Sequence, residues 1–342
     1  MATIRDVAQK AGVSTATVSN VLNGRTDRVG GTTSERVLAA VRALKYKPTP
    51  LEHKQRTIST LNIGFIVPDA HRAQFTGHGY FQDILEGVIE GAASQGYSIT
   101  IFVEKIWDDV GLAIRRSYDG RCDGLIMVAP QPGNELFEML HARGTPIVTV
   151  GSTPWLANVS SVDIDNRMAG AMAARHLVEL CHRRLAFATT GRPQIAALER
   201  YEGFVKEAAR LGLPAASVAF LKAEETPGHN NGEALWALLQ DLDTLPTAVV
   251  CWNDGLALEL IKALACQECK VPEHISVLGI DDIPESDRAG LTTFKNPTYE
   301  LGKRAAKALI DRLAEGHEVS EAIRYAPELV LRTSTGRPRA DI

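Results

Sequence analysis

The stretch Thr3-Ile-Arg-Asp-Val-Ala-Gln-Lys-Ala-Gly-Val-Ser-Thr-Ala-Thr-Val-Ser-Asn-Val-Leu-Asn23 decides how the chain begins. Ile4, Val7, Ala8 and Ala11 recur at helical spacing. Thr3 followed by Asp6 has the form of a capping box, and an acidic group in a first turn suits the helix dipole. Gly12 stands where the chain must turn, because glycine reaches positive φ without a Cβ clash. Ser14 can cap a second helix that buries Val18, Val21 and Leu22. Thr15, Ala16, Ser19 and Asn20 are then left on its outer face. A third helix is expected to start with the capping pair Thr32 and Glu35 and to bury Val37, Leu38, Val41 and Leu44. Two short helices around a glycine turn, with a small polar outer face, read as a helix-turn-helix whose partner is duplex DNA. A three-helix cap that binds nothing shows the same periodicity.

Charge separates the two readings. Residues 1–60 hold 10 Lys and Arg against 4 Asp and Glu, whereas the rest of the chain holds 27 against 37. A basic amino-terminal block on an acidic body is the footprint of a nucleic-acid-binding module joined to something else.

The run TIRDVAQKAGVSTATVSNVLNG closely resembles the start of the lactose-repressor/galactose-repressor (LacI/GalR) family of bacterial regulators. The family pattern is T-I-x-D-V-A-x-x-A-G-V-S-x-x-T-V-S-x-V-L-N, nearly every fixed position is met, and the resemblance continues to the end of the chain. It implies a dimer that lays two recognition helices in successive major grooves of a near-palindromic operator. Thr15, Ala16 and Asn20 would face base edges, Asn20 toward adenine and the Thr15 methyl or Ala16 toward a thymine methyl. Thr3, Ser14, Thr17, Ser19 and Asn23 are better placed for phosphates. In the family the segment after the third helix becomes a hinge helix that wedges a leucine into the minor groove. Here residues 47–60 read KPTPLEHKQRTIST, with a helix start at Thr49-Pro50-Leu51-Glu52. Gln55 stands where that leucine is usual, and Lys54 and Arg56 remain as phosphate contacts. A flexible tether is the alternative.

With 342 residues the chain exceeds one ordinary core, so one small and two medium domains are expected. No run of 18 apolar residues occurs, and the amino terminus opens into a helix without a charged-then-apolar leader. A cytoplasmic protein without membrane contact is expected. Five scattered cysteines, Cys122, Cys181, Cys251, Cys266 and Cys269, suit a reducing compartment. The single CxxC, Cys266 to Cys269, supplies two ligands at most and reads as the end of a helix, so neither metal nor cofactor is expected.

From Leu61 onward, short β-branched strands alternate with amphipathic helices. Strands read at 62–67, 98–103, 124–128 and 146–150, with helices near 80–95, 110–118 and 133–143. A second set follows: helix 166–181, strand 184–189, helix 198–211, strand 217–221, helix 230–241, strand 247–251, helix 254–267 and strand 275–280. A late helix at 298–315 and a strand near 323–332 take the chain back between lobes. The fold class is therefore α/β, an all-α three-helix head plus two doubly wound lobes. By resemblance the core is periplasmic-binding-protein-like. The expected division is a head at 1–48, a hinge at 49–60 and a core at 61–342. Lobe 1 is expected at about 61–162 and 292–322, and lobe 2 at about 163–291 and 323–342.

In such sheets the ligand lies outside the strand carboxyl ends, here between the lobes. Asp69, Asp165 with Asn166, Asn253 with Asp254, and Asp281 with Asp282 follow strands and can accept from paired hydroxyls of a polyol. Tyr80, Phe81, Trp155 and Trp252 can stack on a sugar ring. Asn253 and Asp254 serve equally as a helix cap, Asp282 as a turn residue, and Tyr80 and Phe81 as partial core. The family's recurrent effector contacts match Arg200, in R-x-x-G-F, and Asp281, in the strand-end G-I-D-D. Asn253, Asp165, Phe81 and Tyr80 complete the candidate set. His182 reads as structural, and the tail from Ser334 as frayed.

The expected function is a DNA-binding repressor, a homodimer, controlled by a small effector, with a sugar or related polyol ahead of a purine. A periplasmic sugar-binding protein leaves residues 1–60 unexplained. A doubly wound enzyme lacks a Walker A run, a dinucleotide loop and a G-x-S-x-G elbow.

Overall fold

The computed structural model describes residues 3–22, 29–44, 59–66, 79–102, 121–191, 194–224, 231–315 and 320–339. Asn23, Lys54, Gln55, Arg56, Asp69 and the helix expected at 110–118 lie outside the described residues.

The head contains α1 (Ile4–Ala11), α2 (Thr15–Leu22) and α3 (Gly31–Ala43). Thr3 Oγ1 accepts from the Asp6 amide, and the Asp6 carboxylate accepts from the Thr3 amide at 2.7 Å, closing the capping box. Those bonds hold the Asp6 carboxyl below its ordinary range. Gly12 ends α1 at φ 64, and Arg36 of α3 donates to the Ala11 carbonyl beside it. Ser14 Oγ accepts from the Thr17 amide at 3.0 Å and starts α2. Val7, Val18 and Val37 are fully buried between the helices. Two details of α3 differ from expectation. The helix starts at Gly31, where the Gly30 carbonyl accepts from Thr33 and Ser34, so Thr32 lies inside the first turn rather than at the cap. Leu38 is 42% exposed, and Ala40 takes the inward position.

The body begins with β1 (Asn62–Ile66), β2 (Ser98–Phe102), β3 (Gly124–Val128), β4 (Ile147–Val150) and β5 (Ser160–Ile164). It continues with β6 (Leu185–Thr190), β7 (Val218–Ala223), β8 (Ala248–Cys251) and β9 (Ser276–Leu278), then β10 (Thr293–Lys295), β11 (Ala322–Tyr325) and β12 (Glu328–Val330). One sheet runs β11-β5-β4-β3-β1-β2 and the other β7-β6-β8-β9, with parallel pairing throughout both. The helices are α4 (Tyr80–Ala93), α5 (Glu135–Ala142), α6 (Asn166–Glu179), α7 (Ile195–Arg210), α8 (Asn231–Gln240), α9 (Asp254–Cys266), α10 (Pro284–Arg288) and α11 (Thr298–Glu315).

The strand β5 was not expected. Its sequence is SSVDI, and all five residues are buried, so polar side chains mask a two-face-buried strand. They are satisfied inside: Ser161 Oγ accepts from Arg324, and Asp163 accepts from Asn166. The single late strand is two strands. β11 joins the first sheet beside β5, and β12 pairs antiparallel with β10. Bridges from Thr292 to Leu278 and Lys295 to Asp281 attach β10 to the second lobe. The chain therefore passes between lobes after β5, after β10 and after β11, and the Asp165 amide donates to the Tyr325 carbonyl to join two of these crossings.

The carboxyl-terminal segment is anchored, not frayed, as far as Gly336. Ser334 is buried, its hydroxyl donates to the Val277 carbonyl, and the Gly336 carbonyl meets His182 Nε2 at 2.8 Å. At the other end of the body, Asp123 accepts from Ser59 Oγ at 2.6 Å and from the Thr60 amide at 3.0 Å, which fixes the entry of the chain into the first lobe.

Helices α6 and α7 cross in close contact because Gly170 and Gly203 face each other's backbones. A methyl group at Gly203 would overlap the Arg167 carbonyl, and one at Gly170 the Arg200 carbonyl. Gly203→Ala is expected to cost about 1–3 kcal/mol through overpacking, read as a lower urea midpoint at unchanged slope.

Candidate effector cleft and DNA-facing helix

The strand ends of both lobes surround a cavity of about 410 Å³. Tyr80, Phe81, Ala129 and Gly151 line it from the first lobe. Thr190, Gln194, Arg200, Asn231, Trp252, Asn253, Glu259 and Asp281 are among the residues that line it from the second. Two groups bridge the cleft directly: Gln131 Oε1 accepts from the Ile195 amide at 3.3 Å, and Thr153 donates to Glu199 at 3.1 Å.

Arg200 is 4% exposed at the floor. Its Nε donates to Asn166 Oδ1 at 2.8 Å, its Nη1 to the Trp252 carbonyl, and its Nη2 lies 3.9 Å from Asp281. Asn166 Nδ2 donates in turn to Asp163 at 2.9 Å, so a polar chain links the first-lobe sheet to the end of β9. Burial is the main cause that moves the two carboxyls, with Arg200 opposing it: Asp163 is pushed up to about 6 and Asp281 to about 7. Burial, helped by Asp163 and Asp281, keeps the Tyr80 hydroxyl neutral.

Asp281 is aimed by a strained turn. Its φ is 141 and that of Asp282 is 57, conformations that side chains resist. Asp254 holds this turn from beneath. Its buried carboxylate accepts from Ser286 and Thr293 at 2.6 Å each and from the Ile283 amide at 3.2 Å. Gly279 is required there, since a Cβ would collide with the Asp254 carboxylate. Arg332 pairs with Asp282 at 2.8 Å, so Asp282 is a turn residue.

The structure brings Arg200, Asp281, Asn253, Phe81 and Tyr80 to one cavity. Asn253 also caps α9 by accepting from the Leu256 amide at 2.9 Å. Asp165 is not part of the lining: it caps α6, accepting from Met168. Asp163, Gln194, Asn231 and Glu259 were not among the candidates. For Glu259 the signal was present, because Asn253, Leu256 and Glu259 recur at intervals of three and share one helix face.

In the head, Thr15 and Ala16 are exposed on the first turn of α2, and Ser19 and Asn20 are half-buried behind them. Thr3 and Ser14 are exposed at helix starts, and Thr17 is half-buried against Ser14, 2.9 Å between hydroxyls. Among the described residues no cluster of His, Cys, Asp or Glu is arranged to hold a metal ion, and no helix is long and apolar enough to cross a membrane.

A helix-turn-helix head joined to a two-lobed cleft defines a ligand-responsive DNA-binding regulator. Residues 3–49 match the model for bacterial regulatory proteins of the lacI family, and residues 174–335 match a periplasmic binding protein-like domain. The chain is 33% identical over 341 residues to the HTH-type transcriptional repressor PurR of Pasteurella multocida, covering 98% of each. It superposes on a transcriptional regulator CelR–cellobiose complex with a TM-score of 0.75 at 25% identity, covering 98% of this chain and 100% of that one. A LacI family regulator from Enterococcus faecium with bound ribose shares the fold, with a TM-score of 0.68 at 24% identity over 81% of this chain and 100% of that one. The chain belongs to the LacI family of bacterial transcriptional regulators, and is a regulator rather than an enzyme.

The raised carboxyls carry a pH signature. An ordinary aspartate titrates at 3.8, but folded Asp281 does so at about 7. The folded chain thus holds a proton that the unfolded chain has released. Its contribution to stability is complete below the ordinary aspartate value and is lost as pH rises through about 7. Relative to Asp281→Asn, the wild-type chain is expected to lose roughly 1–3 kcal/mol between about pH 4.5 and about pH 8 in urea unfolding.

Proposed function

We propose that the protein is a cytoplasmic, homodimeric repressor whose operator affinity is set by a small polyhydroxylated effector, a sugar or close relative, bound between the lobes. The observation that carries this reading is the pairing, in one chain, of an exposed, capped α2 face with a cavity floored by Arg200 and Asp281. A guanidinium and carboxyl side by side, with Asn253, Gln194 and Thr190 around them, suit vicinal hydroxyls, which donate and accept together. Cellobiose in the superposed CelR complex supports a saccharide. A planar purine is the second reading. Phe81 and Tyr80 meet edge to face at 5.4 Å, and Trp252 lines the same cavity, so ring faces are available for stacking.

In the head, Thr15, Ala16 and Asn20 read bases, and Thr3, Ser14, Thr17, Ser19 and Asn23 hold phosphates, aided by Lys54 and Arg56 of the linker. The reading face lacks Arg and Lys, which directs it toward A·T pairs. Effector and operator are linked reciprocally, with a coupling free energy of about 1–3 kcal/mol.

Gel-shift titration against the DNA upstream of the protein's own gene tests this reading. Binding is expected to be sequence-selective, to weaken steeply with salt, and to fall about ten- to a hundredfold in Asn20→Ala. Millimolar cellobiose or ribose is the first effector probe. Selective binding that no salt concentration or Asn20 substitution alters would sink the proposal.

A further inference from the structure

Glu259 occupies an unusual position in the cleft wall. It lies on α9, one turn beyond Leu256 and two beyond Asn253, and all three residues line the cavity. Its Oε2 is shut off from solvent and accepts no hydrogen bond from the described residues. Gly232 of α8 packs directly against the Glu259 backbone, so the two helices meet closely at this point. A buried carboxylate oxygen left without a donor is costly, and one on a cavity wall is a place where a ligand can supply the donor.

The charges around the cavity make the point sharper. Among the described residues, the charged side chains lining it are Arg200, Asp281 and Glu259. Arg200 already lies 3.9 Å from Asp281 and donates to Asn166 and the Trp252 carbonyl. Glu259 is therefore the carboxylate without a counter-charge among the described lining residues.

The structure assigns Glu259 as an effector-contacting residue that fixes the charge class of the effector: a neutral or amine-bearing polyhydroxylated molecule that donates hydrogen bonds to it, and not a phosphorylated or carboxylated one. This rests on the polyol reading above. A ligand hydroxyl or ammonium group placed there supplies the missing donor, and the polyol's remaining hydroxyls reach Arg200 and Asp281. A phosphate or carboxylate brought to the same wall would meet a like charge at low dielectric.

The test uses the full chain, wild type and Glu259→Gln, in two measurements. The first is calorimetric titration with cellobiose, ribose, glucose, glucosamine and the phosphomonoester of glucose. The wild type is expected to bind a neutral or amino sugar at least tenfold more tightly than the phosphomonoester, and Glu259→Gln to weaken that sugar about ten- to a hundredfold. A phosphomonoester bound more tightly than its parent sugar, or a substitution without effect on the bound sugar, overturns the assignment. The second measurement needs no ligand. Glu259→Gln removes an uncompensated charge and is expected to melt at a higher temperature than the wild type. An equal or lower melting temperature shows that the carboxylate is satisfied within the protein, and overturns the assignment whatever the titrations give. A higher melting temperature with no sugar bound by the wild type leaves Glu259 supported and removes the polyol reading instead.

Discussion

A guanidinium cannot be buried without partners, and this requirement at Arg200 organises the body of the protein. Arg200 draws the ends of β5, β8 and β9 together: β5 through Asp163 and Asn166, β8 through the Trp252 carbonyl, and β9 through Asp281. Those partners are within reach only because α6 and α7 touch backbone to backbone at Gly170 and Gly203. The glycine in the Arg200-x-x-Gly203-Phe204 run and the arginine itself thus serve one geometry. The glycine sets the helix separation, and the arginine converts that separation into a fixed floor between two lobes.

The same economy appears in the strained turn after β9. Asp281 and Asp282 adopt positive φ, a cost of about 1–3 kcal/mol each for such conformations. Three hydrogen bonds to Asp254 and the Arg332 ion pair offset it. Asp254 is completely buried and makes no part of the cavity lining, yet it determines where Asp281 points. In the head, Arg36 shows that a basic residue need not serve DNA: it closes the carboxyl end of α1. The positive block read from composition is therefore partly structural.

Much of this could be read from the chain itself, for physical reasons. Caps and a glycine turn are local chemistry, so Thr3, Asp6, Gly12 and Ser14 announce the head directly. Apolar β-branched strands such as β3 and β8 are equally plain, being buried on every residue. The strand β5 was hidden because its buried groups are serines and an aspartate, whose burial is tolerable only with partners: Asn166 close by, and Arg324 far away in sequence. The division of the last strand was hidden for a related reason, since β11 and β12 differ in which sheet they join rather than in local pattern. Within the cleft, Arg200, Asp281, Asn253, Tyr80 and Phe81 followed from strand ends and the family motif. Asp165 was drawn instead into capping α6, and Asp163, two residues earlier, took the buried position.

Three passages of chain between the lobes restrict how the halves can move. One strand would leave a universal joint, free to twist as well as bend. Three strands side by side, two of them stitched by the Asp165–Tyr325 hydrogen bond, leave bending about one line and resist torsion. Asp123 clamps Ser59 and Thr60 to the first lobe, so the chain enters that lobe at a fixed point. A hinge made of three passages bends where a single passage would swivel.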